Sequence, residues 1–262
     1  MKYAQLLIGL LAGSVLGGGV VASTGGVGSD SATDKEAIKQ IVRDVISEEP
    51  KLILSSLQKM QMDEMRKAEE SRNEMLKDEA IRAQIFSDQA ASVGPKDSSR
   101  VVAEFFDYNC GACKMMFRSI DAVVKKDPKV RVIFHEYPIF GPASEENSRL
   151  GLAVNRLYPE KYYDFHAKML SHNGKLEEKT VHGYIAALGM DLEKVKAESK
   201  TKEVAEALDA TQKLGQKLNL QGTPTLAIGT EIIPHALSPE DLEARLDGKK
   251  PAEDAPSEKA EP

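Results

Sequence analysis

The chain has 262 residues, a formal net charge of −6 and 41% hydrophobic residues. That length allows one or two domains, and the hydrophobic share is ordinary for a globular protein. The acidic balance leaves no electrostatic footprint for nucleic acid, and the sparse aromatics, with no Trp, argue against a base-stacking surface.

Met1-Lys2 is followed by the apolar run Leu6 to Leu11 and a Gly-rich apolar stretch to Val21. One early positive charge, an apolar centre and small residues around Ala22 predict a secretory signal peptide cleaved after Ala22. The alternative is an uncleaved anchor, although the run is near the lower length limit for a span and weakened by its glycines. Thr24 to Asp34 is Gly/Ser-rich and reads as a linker, with Thr33 or Asp34 capping the first helix. Ile38, Ile41, Val42, Val45 and Ile46 then recur at helical spacing. Pro50 fits the first turn of a second helix carrying Leu52, Ile53, Leu57 and Met60. Beyond Gln61 the helix is mostly charged and reads as a solvated spacer. Two uses of the apolar stripe compete: docking on the chain's own following domain, or packing against other copies. Concentration of apolar residues at the start, ahead of a charged helix, favours self-association.

Asp88 to Arg100, with Gly94-Pro95, is expected to be a loop. Val101 to Phe106 is a strand, Asp107 to Asn109 turn the corner, and Cys110-Gly111-Ala112-Cys113 opens a helix through Val124. Val130 to Phe134 is the next strand, closed by His135 to Pro138. The strand–helix–strand order gives a parallel pair with a right-handed crossover. Ser144 to about Leu218 is helical throughout. Thr225 to Ile228 and Glu231 to Pro234 form a hairpin around Gly229-Thr230. Ser238 caps a last helix, and 248–262 lacks large apolar residues and is expected to be disordered.

The chemistry concentrates at Cys110 and Cys113, the chain's two cysteines. C-x-x-C spacing on a helical first turn lets two thiols meet. Unpaired N–H groups and the helix dipole favour a thiolate at Cys110, lowering its pKa from about 8.5 toward roughly 3.5–7.5. Cys113, one turn in, is more covered. Cys110 therefore attacks disulfides and Cys113 resolves the mixed disulfide. The alternative, half of a zinc site, needs four ligands. The five histidines (His135, His166, His172, His182, His235) include no close pair to complete one, so no metal or cofactor is expected. Glu104 is a charge in an otherwise apolar strand, costly if buried unless protonated or paired; otherwise its side chain escapes at the sheet end. His135 and His235 read as surface histidines. Met115 and Met116 read as core and rim packing.

The strand, the run EFFDYNCGAC and the distant Gly222-Thr223-Pro224-Thr225 resemble the DsbA-like branch of the thioredoxin superfamily. The N-terminal extension is similar to that of oligomeric, ScsC-type members. The resemblance implies an α/β thioredoxin fold with a helical insertion between the second and third strands, preceded by a helical oligomerisation stalk. It implies a cis Pro224 facing the redox pair, where sequence alone would favour trans, with the Thr223 backbone open to a substrate strand. It implies that Glu104 exchanges a proton with Cys113. The Gly111-Ala112 dipeptide lacks the His of strongly oxidising relatives, which places the expected potential nearer ~−180 mV than ~−120 mV. The implied division is a signal peptide (1–22), linker (23–34), oligomerisation segment (35–61), charged helical spacer and loop (62–95), catalytic domain (96–247, insertion 144–218) and tail (248–262). The implied protein is a periplasmic thiol:disulfide oxidoreductase, with envelope or outer-membrane association as a variant. Its substrates are cysteine-containing exported proteins, its redox partner a membrane protein of DsbD or DsbB type, and its assembly a homodimer or homotrimer through 35–61. Isomerase or reductase activity leads; a DsbA-type oxidase is the alternative, and a non-catalytic holdase on the same fold is the rival from a different class.

Overall fold

The computed structural model describes residues 31–249. The expected signal peptide, most of the linker and the tail from residue 250 lie outside the described residues. Two compact units divide the chain, one ending at Met60 and the other beginning at Gln61.

The first unit contains α1 (Ser31–Glu48) and the start of α2 (Pro50–Met75). The helix already includes Ser31, the first described residue, rather than starting after Asp34. Pro50 opens α2 as expected for a residue with no N–H to leave unpaired. The apolar stripe is exposed: Ile38 and Ile41 are 60% and 61% accessible, and Val42, Val45, Ile46, Leu52 and Leu57 are exposed as well.

The second unit is built on a five-stranded sheet, β1 (Ala91–Val93), β2 (Val101–Phe106), β3 (Arg131–Glu136), β4 (Thr225–Ile228) and β5 (Glu231–Ile233), in the order β1-β3-β2-β4-β5. β2 and β3 are parallel; the other neighbours are antiparallel. The parallel pair is joined through α4 (Gly111–Lys126), as a crossover requires. Between β3 and β4 come α5 (Pro142–Leu157), a short 3-10 turn, α6 (Tyr162–Ser171), α7 (Glu178–Ala187), α8 (Leu192–Glu198) and α9 (Lys202–Lys217); α10 (Pro239–Leu246) closes the unit.

Alternation along β2 divides the core. Val102 and Phe106 pack with Met116, Ile120, Leu150, Phe165 and Leu242. Ala103 and Phe105 pack with Leu76, Ile81, Ile85, Leu214 and Leu218. A strand covered on both faces reads as an almost unbroken apolar run, which is what Val101 to Phe106 is apart from Glu104.

Three expectations need correction. The charged segment after Gln61 is not solvated to its end, because Leu76 and α3 (Glu79–Ile85) carry apolar side chains into the second cluster. Asp78 caps α3, its Oδ1 accepting from the N–H groups of Ala80 and Ile81. The expected loop 88–100 contains β1, which pairs Ala91, Ser92 and Val93 with Phe134, Ile133 and Val132. His135 is not a surface residue: β3 continues through it, it is buried, its ring stacks on Phe105 at 4.7 Å, and Nε2 lies 2.7 Å from the Ile85 carbonyl. His235 is exposed.

Helix α5 approaches the sheet at Gly151. A Cβ there would lie 2.4 Å from Glu136 Oε1 and 2.8 Å from the Tyr108 hydroxyl, whereas one at Gly183 in α7 would meet nothing. Gly151→Ala is expected to destabilise by about 1–3 kcal/mol through overpacking. Gly183→Ala, exposed in a helix interior, is expected to stabilise by roughly 0.5–1 kcal/mol. Urea unfolding of the two variants measures both signs.

Candidate active site

β2 ends in the turn Asp107-Tyr108-Asn109, and Cys110 is the cap residue of α4, with extended backbone (φ −77°, ψ 121°) and no side-chain capping bond. The cap leaves the first-turn N–H groups of α4 free to face the sulfur. The Cys110 N–H donates to the Asp107 carbonyl at 3.0 Å, which tightens the turn. Both cysteines are free thiols; Cys110 is 4% accessible and Cys113 is fully buried.

The two thiols have opposite proton affinities. Cys110 is lowered to about 5: the hydrogen bond from the Cys113 thiol is the largest cause, with further help from the Thr223 side chain and the N–H groups of Cys113 and Ala112, against an opposing cost of burial. Cys113 is raised far above the thiol range, first by burial, then by its bond to Cys110 and the Glu104 charge. Gly111 is open, with nothing that a Cβ would touch, and Gly111-Ala112 brings no charge to the pair. Backbone donors and the partner thiol carry the stabilisation that a basic residue would otherwise supply.

The Thr223–Pro224 peptide bond is cis. The protonated Cys110 thiol donates to the Thr223 carbonyl at 3.2 Å, so this segment and the redox pair, 113 residues apart, form one surface. Antiparallel pairing of β4 with β2 at Phe105↔Thr225 and Glu104↔Leu226 brings them together.

Glu104 does not escape at the sheet end. It is fully buried at mid-strand, and neither carboxylate oxygen has a hydrogen-bond partner. Burial, and then the Cys110 charge, push it up to about 8, so the acid is mainly neutral at pH 7. On the same face lie Tyr108, Glu136, Tyr162 and His166, all buried. The Tyr108 and Tyr162 hydroxyls are 3.3 Å and 3.5 Å from His166 Nδ1. Burial lowers His166 to about 3 and raises Glu136 well above the usual carboxylate range, so this block is uncharged. Met116 is buried with its Sδ 3.2 Å from the Leu237 nitrogen, while Met115 is exposed.

Asp107 and Ser144 are site residues that sequence reasoning passes over. Asp107 is buried at the end of β2, and Ser144 is buried in the first turn of α5. Each is an ordinary turn or helix-start residue, and only the fold brings them together.

The profile of the DSBA-like thioredoxin domain matches residues 101–247, more than half of the chain and all of the geometry above. The chain belongs to this family. Disulfide bond formation protein D of Bacillus subtilis is 27% identical over 171 residues, 60% of this chain and 77% of that protein. The thiol-disulfide exchange protein alpha-DsbA2 of Wolbachia pipientis is 28% identical, with a TM-score of 0.64 over 68% of this chain and 96% of that one. Proteus mirabilis ScsC, in a transitional conformation, matches 83% of this chain and 97% of its own with a TM-score of 0.59; at 22% identity this shows the fold alone. Family, fold and dithiol geometry together make the chain a thiol:disulfide oxidoreductase.

The Glu104 shift has a sign in stability. A folded pKa raised from 4.5 to about 8 costs nothing below the unfolded value. The cost grows as pH rises through that window and is complete above the folded value. Glu104→Gln holds the neutral form at every pH. Reduced wild type is therefore expected to lose a few kcal/mol relative to the variant between pH 4 and pH 9, measured by denaturant unfolding at both ends. Parallel stability curves would contradict a buried, unpaired acid.

Proposed function

We propose that the chain is a periplasmic disulfide isomerase or reductase that acts on cysteines of exported proteins as a homo-oligomer joined through residues 35–61. The observation that carries this reading is the exposed stripe from Ile38 to Leu57. Contiguous apolar surface of this kind marks an interaction site. Joining copies multiplies attacking thiols around one substrate without new contacts at any single site, which suits repeated attack and release. The Gly111-Ala112 dipeptide also supports a milder potential than that of a strong oxidase.

At the site, the Cys110 thiolate attacks a substrate disulfide, forms a mixed disulfide and expels one substrate thiolate. In the isomerase cycle that thiolate attacks elsewhere in the substrate and eventually releases Cys110. In the reductase cycle Cys113 must lose its proton and attack Cys110, leaving the Cys110–Cys113 disulfide and expelling the second substrate thiolate. Glu104 is the proton acceptor in this reading. The Cys110 charge is one of the two causes that hold the acid protonated. Mixed-disulfide formation removes that charge, so Glu104 becomes more acidic, and available as a carboxylate base, at the step that needs one. Thr223, beside its cis bond to Pro224, offers the substrate a backbone edge next to Cys110. A membrane partner of DsbD type returns the pair to the dithiol.

A second reading, a disulfide-forming oxidase recharged by a DsbB-type partner, is favoured by the names of the curated relatives, which are disulfide bond formation proteins. Thiol trapping in cells separates the two: a mainly reduced Cys110/Cys113 pair fits isomerase or reductase, and a mainly oxidised pair fits oxidase. For the assembly, Ile41→Lys together with Val45→Lys is expected to turn an oligomer into a monomer by light scattering. Insulin reduction should persist and refolding of scrambled ribonuclease should fall at least about tenfold, the low side of the roughly hundredfold or greater gain that linked sites can give. A wild-type monomer, or a monomeric variant with undiminished refolding activity, contradicts the proposal.

A further inference from the structure

The exchange chemistry leaves two buried carboxylates unused, Glu136 and Asp107, and only Asp107 lies in the turn that delivers Cys110. Asp107 is fully buried, which for an acid demands partners, and it has four. Oδ1 accepts from the Asn109 N–H at 2.8 Å and from the Ser144 hydroxyl at 2.8 Å. Oδ2 accepts from the N–H groups of Ile139 at 2.8 Å and Phe140 at 3.1 Å. Asn109 Nδ2 donates in turn to the Ser144 oxygen at 2.9 Å. Every partner of the carboxylate is a donor, and they come from three places: the turn that delivers Cys110, the loop after β3, and the first turn of α5. That loop carries Ile139 and Phe140, which are 42% and 57% accessible.

We propose that Asp107 is a positioning residue of the exchange site, clamping the Cys110 turn to the apolar Ile139–Phe140 loop so that nucleophile and neighbouring loop hold one geometry. The inference deepens, and rests on, the reading of Cys110 as the attacking thiol. A residue acting through charge alone would behave in the opposite sense. A negative carboxylate near Cys110 opposes a thiolate, so its removal would make the thiol more acidic. A clamp works through geometry: without it the turn relaxes, Cys110 leaves the first-turn donors of α4, and the thiol becomes less acidic. The other groups facing Cys110 are Cys113 from α4, Glu104 from β2 and Thr223 from the segment before β4. None of them is changed by a substitution at residue 107.

The test is Asp107→Asn in the full-length reduced protein. Asparagine keeps the shape but sets an NH2 group against donors that an acid accepts. Iodoacetamide alkylation of Cys110, followed by mass spectrometry across pH, reads the effect, with circular dichroism as the check on folding. The midpoint is expected to rise from near 5 toward the ordinary thiol range. A midpoint that reaches about 7 lowers the rate at pH 6 about tenfold, because the thiolate share falls from roughly nine-tenths to roughly one-tenth. An unchanged or lowered midpoint in a folded variant overturns the proposal. Should Asp107→Asn not fold, Ser144→Ala removes one of the four donors and leaves the acid. It is expected to raise the midpoint in the same direction by a smaller step, and an unmoved midpoint there also overturns the clamp. Cys110→Ala keeps the two levels apart: if it still reduces insulin, the assignment of the nucleophile fails whatever Asp107 does.

Discussion

Everything at this site depends on a sulfur placed where a helix begins and a strand has just ended. The first turn of α4 has N–H groups without intrahelical partners, and Cys110 supplies no capping oxygen to occupy them. Those groups, the Cys113 thiol and the Thr223 side chain all favour the charged form of Cys110. The sheet delivers the ingredients in register: β2 leads into the turn, and β4, paired with it, brings Thr223 and Pro224 alongside. Because the same thiol–thiol bond lowers one sulfur and raises the other, the two sulfurs differ in proton affinity before any substrate arrives.

The price of that arrangement is a set of acids taken out of water, and each is handled differently. Glu104 has no partner and stays mainly protonated. Glu136 is held neutral by burial, although hydrogen bonds from Tyr108 and Tyr162 pull the other way. Asp107 is saturated by four donors. An unpaired acid is a proton store, while a fully bonded one is a strut. These acids therefore differ in whether protonation or hydrogen bonds answer their burial.

Much of this is legible in the sequence, and the limits have physical causes. The strand, the C-x-x-C pair, Pro50, the hairpin around Gly229 and the Ser238 cap are local signals, and the structure has them where periodicity and capping put them. The cis geometry at Pro224 comes only through family resemblance, since an isolated Thr-Pro bond favours trans. The strand Ala91–Val93 escapes sequence reasoning because a three-residue edge strand has no alternation to detect, and it exists only because β3 offers it a partner. His135 reads as a surface residue because its burial depends on Ile85 and Phe105, neither of them its sequence neighbour. Glu104 stands out as an oddity in its strand, but its burial is set by coverage from distant helices. The four bonds of Asp107 reach Ser144 and the loop before it, contacts that no local pattern encodes.

The central claim is that the fold creates one thiolate and suppresses the other. Ultraviolet thiolate absorbance of the reduced protein, titrated from acid to alkaline pH, tests it most directly. The account predicts a single step centred near 5 with the amplitude of one thiolate, and none between it and the onset of tyrosine ionisation near pH ~10. Two thiolates forming together in the ordinary thiol range, or no step below neutrality, would contradict it.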